Sequence, residues 1–343
     1  MKNNKNAFVY AICLLGLTLF PACLEVNTTS QINTDGTILR TIVFEDDSAS
    51  IYRGKFAVPL DSLWQRSIQK VDKEKFRLTA TRLFKGVDEM NTALEGTFGK
   101  TLQYHFEFVK SFQWFFTVYR FEETNLKYNQ FESIPLTDYV SQYEIDGLRE
   151  HEIEKKPFAS KGDSLSMSAA EERFDEWTKR NLFEAIYTVF LNSVRKVNDP
   201  RLTVQAVEEQ KDTLYRRSEK NLMNFDTLGI IFRTVFHNRS VDKAWLADSA
   251  ELKEISKKMN GDFGGSYVTS IVMPGLVTGS NAPTIEGNKA TWKDFKDYAK
   301  YLGYTMWIES KQVNWWAVIA TGVLVVLLAV LLAVSAMKRR RLA

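Results

Sequence analysis

After position 23, apolar and polar residues alternate through much of the next hundred residues, and a period of two marks a half-buried strand. LEVNTTSQINTDGTILRTIVFED makes two extended runs around Asn33-Thr34-Asp35-Gly36. Asp-Gly between such runs predicts a hairpin, because glycine takes a positive φ without steric cost. KFRLTATRLF (75–84) sets Phe76, Leu78 and Ala80 on one face, and LQYHFEFV does the same with Leu102, Tyr104, Phe106 and Phe108. SLWQRSIQKV (62–71) and VDEMNTALEG, which stops at Gly96, read as short helices. FQWFFTVYRF (112–121) is aromatic on both faces, which predicts a central or covered strand.

From 135 to 260 the period becomes helical. SMSAAEERFDEWTKRNLFEAIYTVFLNSVRKV carries a stripe of Phe174, Trp177, Phe183, Ile186, Tyr187, Phe190 and Val194. Ser168 with Glu171 reads as its capping box, and Asn198-Asp199-Pro200 ends it. Further helices are predicted at 201–220, 225–237 and 241–258. From 261 to 313 the β pattern returns in SYVTSIVMPG, TIEGNKATW and GYTMWIES, with the turn-rich GSNAP and a short helix, DFKDYAKYL, between them. The fold class is α+β: a mixed or antiparallel sheet built from both ends (23–134 and 261–313), a helical insertion (135–260), and one C-terminal transmembrane helix.

Two apolar runs bracket this body. Lys2 and Lys5 precede Ala7 to Phe20, and small residues follow, the order of a secretory signal peptide over 1–22. That run spans ~21 Å as a helix, short of a ~30 Å hydrocarbon core. Ala22-Cys23 fits the end of a lipobox, so Cys23 is a lipidation candidate; the other reading is an ordinary signal-peptidase cut near Ala22. Cys13 leaves with the signal, which excludes a disulfide in the mature chain. At the other end, 314–337 contains Trp315 to Met337 without a charge, long enough to cross a bilayer. Trp315 and Trp316 mark one interface, and Lys338, Arg339, Arg340 and Arg341 in the 338–343 tail mark the cytoplasmic side. The body is then expected outside the cytoplasm, on the bacterial cytoplasmic (inner) membrane. With short tethers at both ends, the first and last strands are expected to pair or lie one strand apart, with the 33–36 turn pointing away from the bilayer.

The positive excess of the chain lies wholly in its ends. The formal net charge is +3, and removing the six cations at the ends (Lys2, Lys5 and Lys338 to Arg341) leaves −3 for residues 6–337. No basic nucleic-acid surface is expected. Aromatic residues make up 13% of the chain, enough for a substantial core.

Chemistry is sparse. GDSL (162–165) offers Ser164 as a hydrolase nucleophile, but a polar stretch precedes it, a helix follows it, and none of His105, His151 and His237 has Asp three residues earlier. Glu150-His151-Glu152 lacks the spacing of a helical zinc pair. Asn238-Arg239-Ser240 is a sequon without consequence in a bacterium. Gly261, Gly264 and Gly265 lack the Lys-Ser/Thr of a phosphate loop. The aromatic cluster from Phe112 to Phe121 reads as core, or as the wall of a lipid-binding cavity.

YVTSIVMPGLVTGSNAPTIEGNKATW, together with Cys23 and the 33–36 hairpin, resembles the ectodomain pattern of LppM-like bacterial envelope lipoproteins. The matching positions are Pro274-Gly275, Asn281, Gly287 and Trp292, and they cover the two ends of the chain and not its helical middle. The resemblance implies a lipobox, a mixed α+β domain, a C-terminal membrane helix and a non-catalytic role near lipid. The expected function is accordingly structural or interactive, without cofactor, metal or catalytic residues. Its expected partners are membrane lipid and an envelope protein. An amphiphile-binding ectodomain is the alternative, and a hydrolase using Ser164 the second.

Overall fold

Alternation becomes sheet in a computed structural model that describes residues 24–47, 51, 60–72, 75–94, 104–125, 133–222, 224–252, 255, 265–293 and 301–342. The signal segment, Cys23, Gly96, Leu102, Gly261, Gly264 and most of the DFKDYAKYL stretch lie outside the described residues. Strands β1 (Leu24–Ile32) and β2 (Ile38–Asp47) form the expected hairpin, with Ile32 opposite Ile38 and Gly36 at φ 91°. β3 (Gln65–Lys70) and β4 (Lys75–Phe84) extend the sheet on one side. On the other side stand β7 (Gly265–Val272), β9 (Thr284–Glu286) and β10 (Lys289–Lys293). The first sheet has seven strands in the order β3-β4-β2-β1-β7-β10-β9, and its two chain ends meet where β1 runs parallel to β7.

The second sheet has four strands, ordered β5-β6-β11-β8: β5 (Tyr104–Phe112), β6 (Phe116–Asn125), β8 (Leu276–Ser280) and β11 (Tyr304–Val313). The two sheets enclose one core. Ile42, Phe44, Ala80 and Phe84 face it from the first sheet, Phe106, Phe121, Met306 and Ile308 from the second. Arg40 crosses this core to Glu123, with Nη1 to Oε2 2.9 Å and Nη2 to Oε1 3.1 Å, and both side chains are almost wholly buried. Nη1 also donates to the Ser30 hydroxyl at 3.0 Å. Helix α1 (Val87–Leu94) buries Met90 and Leu94 at one side. Its Asn91 side chain exchanges two hydrogen bonds with the Phe106 backbone, so the edge strand β5 is partly covered.

The helical middle builds its own core. Beyond α2 (Gln142–Leu148) runs α3 (Lys161–Val197), 37 residues long, and its predicted stripe is buried throughout. Against α3 pack α4 (Val204–Glu209), α5 (Lys211–Ser218), α6 (Phe225–Phe236) and α7 (Ser240–Ala247). α3 ends at Asn198 in the left-handed region (φ 47°), ahead of Pro200. This body meets the sheets at the start of β11. Arg149 Nε donates to the Gly303 carbonyl at 3.1 Å and the same guanidinium reaches the Leu302 carbonyl. Tyr301 packs on Phe174 and Trp177.

Several expectations are corrected. Residues 62–71 are not helical: β3 is an edge strand, and its polar residues stay in solvent while Trp64 just before it is buried. The 112–121 run is not one covered strand but the tip of the β5–β6 hairpin, so its aromatic residues fall on a turn and on two strands. α3 begins earlier than Ser168: Ser160 is the N-cap, accepting from the Asp163 N–H at 3.1 Å. The two ends build two sheets rather than one, so β1 and β11 neither pair nor share a sheet. The 33–36 turn lies at the β5–β6 tip end, because Lys110 Nζ donates to the Thr34 carbonyl at 2.7 Å and Phe108 lies against Gly36.

Candidate membrane junction

β11 passes into helix α8 (Trp315–Leu342) through the single residue Asn314. Asn314 fastens this step in three directions. Its carbonyl accepts from the Ala317 and Val318 N–H groups at 2.9 and 3.2 Å, which starts the helix. Its N–H donates to the Phe115 carbonyl at 2.8 Å. Its side-chain amide donates to the Gln113 and Trp114 carbonyls at 2.8 and 3.3 Å, and its Oδ1 accepts from the Thr117 hydroxyl at 2.8 Å. The carbonyls of Gln113, Trp114 and Phe115 in the hairpin turn are thus held by the first residue before the apolar helix, the Gln113 carbonyl also accepting from the Phe116 N–H.

The aromatic residues of the tip surround the helix start. Trp114 meets Trp316 edge-on at 5.4 Å, and Phe112 stacks on Trp316 at 6.1 Å. The Trp114 Nε1 donates to the Thr321 hydroxyl at 2.9 Å. Thr321 lies six residues beyond Trp315, ~9 Å along the helix axis. Ala317 is fully covered, yet Phe112, Trp114, Trp315 and Trp316 remain 58%, 51%, 68% and 57% exposed. Phe115, Phe116 and, on β8, Leu276 are exposed as well.

The turns at this end are tightly made. Asp35 accepts from the Thr37 N–H and hydroxyl, and these bonds hold its carboxyl below the usual range. Gly275, at φ 83°, sits so close to the Lys311 backbone that an added Cβ would meet its carbonyl oxygen. Burial pushes the Tyr119 phenol up, and its hydroxyl donates to Gln312 Oε1 at 3.2 Å.

The predicted site residues fall as follows. Trp315 and Trp316 open α8, whose Trp315–Met337 segment is long and apolar enough to cross a membrane. The backbone of Lys338 to Arg341 continues that helix. Ser164 lies in the first turn of α3, its N–H bonded to the Ser160 carbonyl, with no strand leading into it. His105 pairs with Glu107 at 3.3 Å. His151 bonds the Lys156 carbonyl at 3.0 Å and stacks on Phe158. His237 closes α6 in the left-handed region. Among the described residues no group of three His, Cys, Asp or Glu is placed to hold a metal ion. A cleft of about 520 Å³ on the first sheet is lined by Asn27, Thr29, Ser270, Glu286, Lys289 and Lys293 among others.

In the sequence the tip aromatic residues read only as core or as a cavity wall, and Asn314 does not stand out. The available signal was a cluster of four aromatic residues around one Gln, beside a strand that pairs with the one leading into the apolar helix.

The fold and this junction define the class: a mixed two-sheet body with a helical insertion, joined without a linker to one helix of membrane-spanning length. No protein-family model and no curated protein matches the sequence. A solved structure similar to the chain is the NMR structure of the folded domain of the Mycobacterium tuberculosis LppM protein. It shares 9% identity, the match covers 86% of this chain and 94% of that one, and the TM-score is 0.27. Four positions singled out in the sequence, 275, 281, 287 and 292, have structural roles. Gly275 and Gly287 take positive φ, Asn281 bonds the Thr305 carbonyl and the Trp307 N–H of β11, and Trp292 is buried.

Proposed function

We propose that this chain is a non-catalytic protein of the bacterial envelope, anchored in the cytoplasmic membrane by α8, with its body outside the cytoplasm and the 338–341 cations inside. Its work is to hold the helical body at a set height above the membrane for an envelope protein partner. The observation that carries this reading is the Asn314 joint. It makes β11 and α8 one continuous piece, so the ectodomain does not swing on a tether. β11 has ten residues and spans ~33 Å, and the helical body docks at its far end. Acylation of Cys23 is proposed as a modification only, because Leu24 beside it begins β1 at the end of the sheet away from α8.

Affinity purification of the full chain in mild detergent tests the role. An envelope protein retained in fixed ratio, and released when exposed residues of the helical body such as Tyr143 and Leu246 are replaced by Asp, is the expected result. A partnerless protein with esterase turnover abolished by Ser164→Ala would overturn it.

A further inference from the structure

Hairpin tips in water are built from Gly, Asn, Asp and Ser, and the 33–36 turn of this same body obeys that rule. The β5–β6 tip does not. Its five residues, Phe112 to Phe116, are Phe-Gln-Trp-Phe-Phe, and all four aromatic side chains are at least two-fifths exposed. Burial inside the protein therefore does not account for them. Their position does. The Trp114 indole is bonded to Thr321, within the apolar run, while Trp315 stands at its start. If Trp315 and Trp316 lie at the interface, the bond to Thr321 brings Trp114 at least as deep, whichever way the helix tilts.

We propose that the β5–β6 tip is itself immersed in the outer bilayer interface, a second membrane-contacting element beside the span, with lipid as its occupant. The proposal rests on the reading of α8 as a membrane span. An indole suits this position, since its ring is apolar and its N–H already has a partner. Behind the tip the surface turns polar within a few residues: Lys110 is bonded to Thr34, Lys311 lies on β11, and Asp35 sits in its turn. That places the headgroup level close behind Phe112. Two points of entry, the helix and the tip, restrict the tilt of the ectodomain relative to the bilayer plane more than one span alone.

The test uses the full chain with Cys13 and Cys23 replaced by Ser, reconstituted into vesicles of phosphatidylethanolamine and phosphatidylglycerol. Single cysteines are introduced as Phe115→Cys at the tip, Tyr143→Cys on the helical body and Leu328→Cys in mid-span, and each carries an environment-sensitive fluorophore. All three replaced side chains are exposed, and near-ultraviolet circular dichroism confirms that each variant keeps its fold. The expected result is blue-shifted emission at 115, quenched by lipids with a shallow nitroxide and shielded from aqueous iodide, with the reverse at 143. Iodide quenching at 115 equal to that at 143, with 328 still quenched by lipid, would overturn the proposal and leave the span standing. A label at 328 open to iodide would overturn the span and the proposal with it. A label at 115 shielded from iodide but untouched by lipid nitroxides would overturn it in favour of a protein cover, from a partner or a second copy.

Discussion

Arg40 and Glu123 are the residues on which the joining of the two sheets can be tested. A buried ion pair is a weak source of net stability but costly to break, because the remaining charge is left without a partner. Arg40→Met or Glu123→Leu alone should each destabilise the protein by about 3–5 kcal/mol. The double variant should recover most of that loss, since two apolar side chains of similar size can fill the same space. Denaturant unfolding of the four proteins in detergent gives the cycle. Equal, additive losses would mean that the two residues act independently. This pair does not stand out in the sequence, although alternation places both residues at core positions. Arg40 stands between Ile38 and Ile42 in the inward register of β2, and Glu123 follows Tyr119 and Phe121 in that of β6. Alternation alone does not match the partners, since Arg82 on β4 is buried in the same way and pairs with Asp61 and Glu89; that Arg40 and Glu123 face each other depends on their strands lying in different, packed sheets.

Among the elements, the clearest signals were those where local chemistry and tertiary burial agree. The 33–36 hairpin and α3 are of this kind, since one has Asp-Gly between alternating runs and the other a long apolar stripe. β3 was misread because an edge strand has little to bury: its residues are all exposed, and Trp64 and Ile68 at a spacing of four mimic a helix face. The 112–121 run was misread because an aromatic turn is foreign to water. Its residues make sense only beside α8, whose closeness depends on β6 pairing with β11 across nearly 200 residues of chain. The joint between them is the element-scale prediction. Asn314→Ala removes three side-chain bonds to the hairpin and should lower stability by roughly 1–3 kcal/mol, read as a lower melting temperature in micelles. It should also loosen the hairpin from α8, seen as broadened spin-label distances between residues 115 and 328. Unchanged distance widths would show that the tip aromatics hold the joint without Asn314.

At the scale of the whole molecule, α8 follows one end of β11 and the helical body meets the other. β5 and β11 both run toward the span, and the 33–36 turn lies at that same end, so β1 also runs toward it. Leu24 therefore begins at the far end of the sheet, ~26 Å from Ile32 at 3.3 Å per residue. An acyl chain attached at Cys23 and the span at Trp315 would act on opposite ends of the body, not as two supports under one sheet. On the proposed reading, retention in the membrane then rests on α8 and the tip. The most direct test of the central claim, an ectodomain held outside the cytoplasm by α8, is the accessibility of Tyr143→Cys in intact spheroplasts, with Cys13 and Cys23 replaced by Ser. The account predicts that a membrane-impermeant maleimide labels position 143 before lysis, on a protein that stays with the membrane through carbonate extraction. Labelling only after lysis, or release of the protein by carbonate, would contradict it.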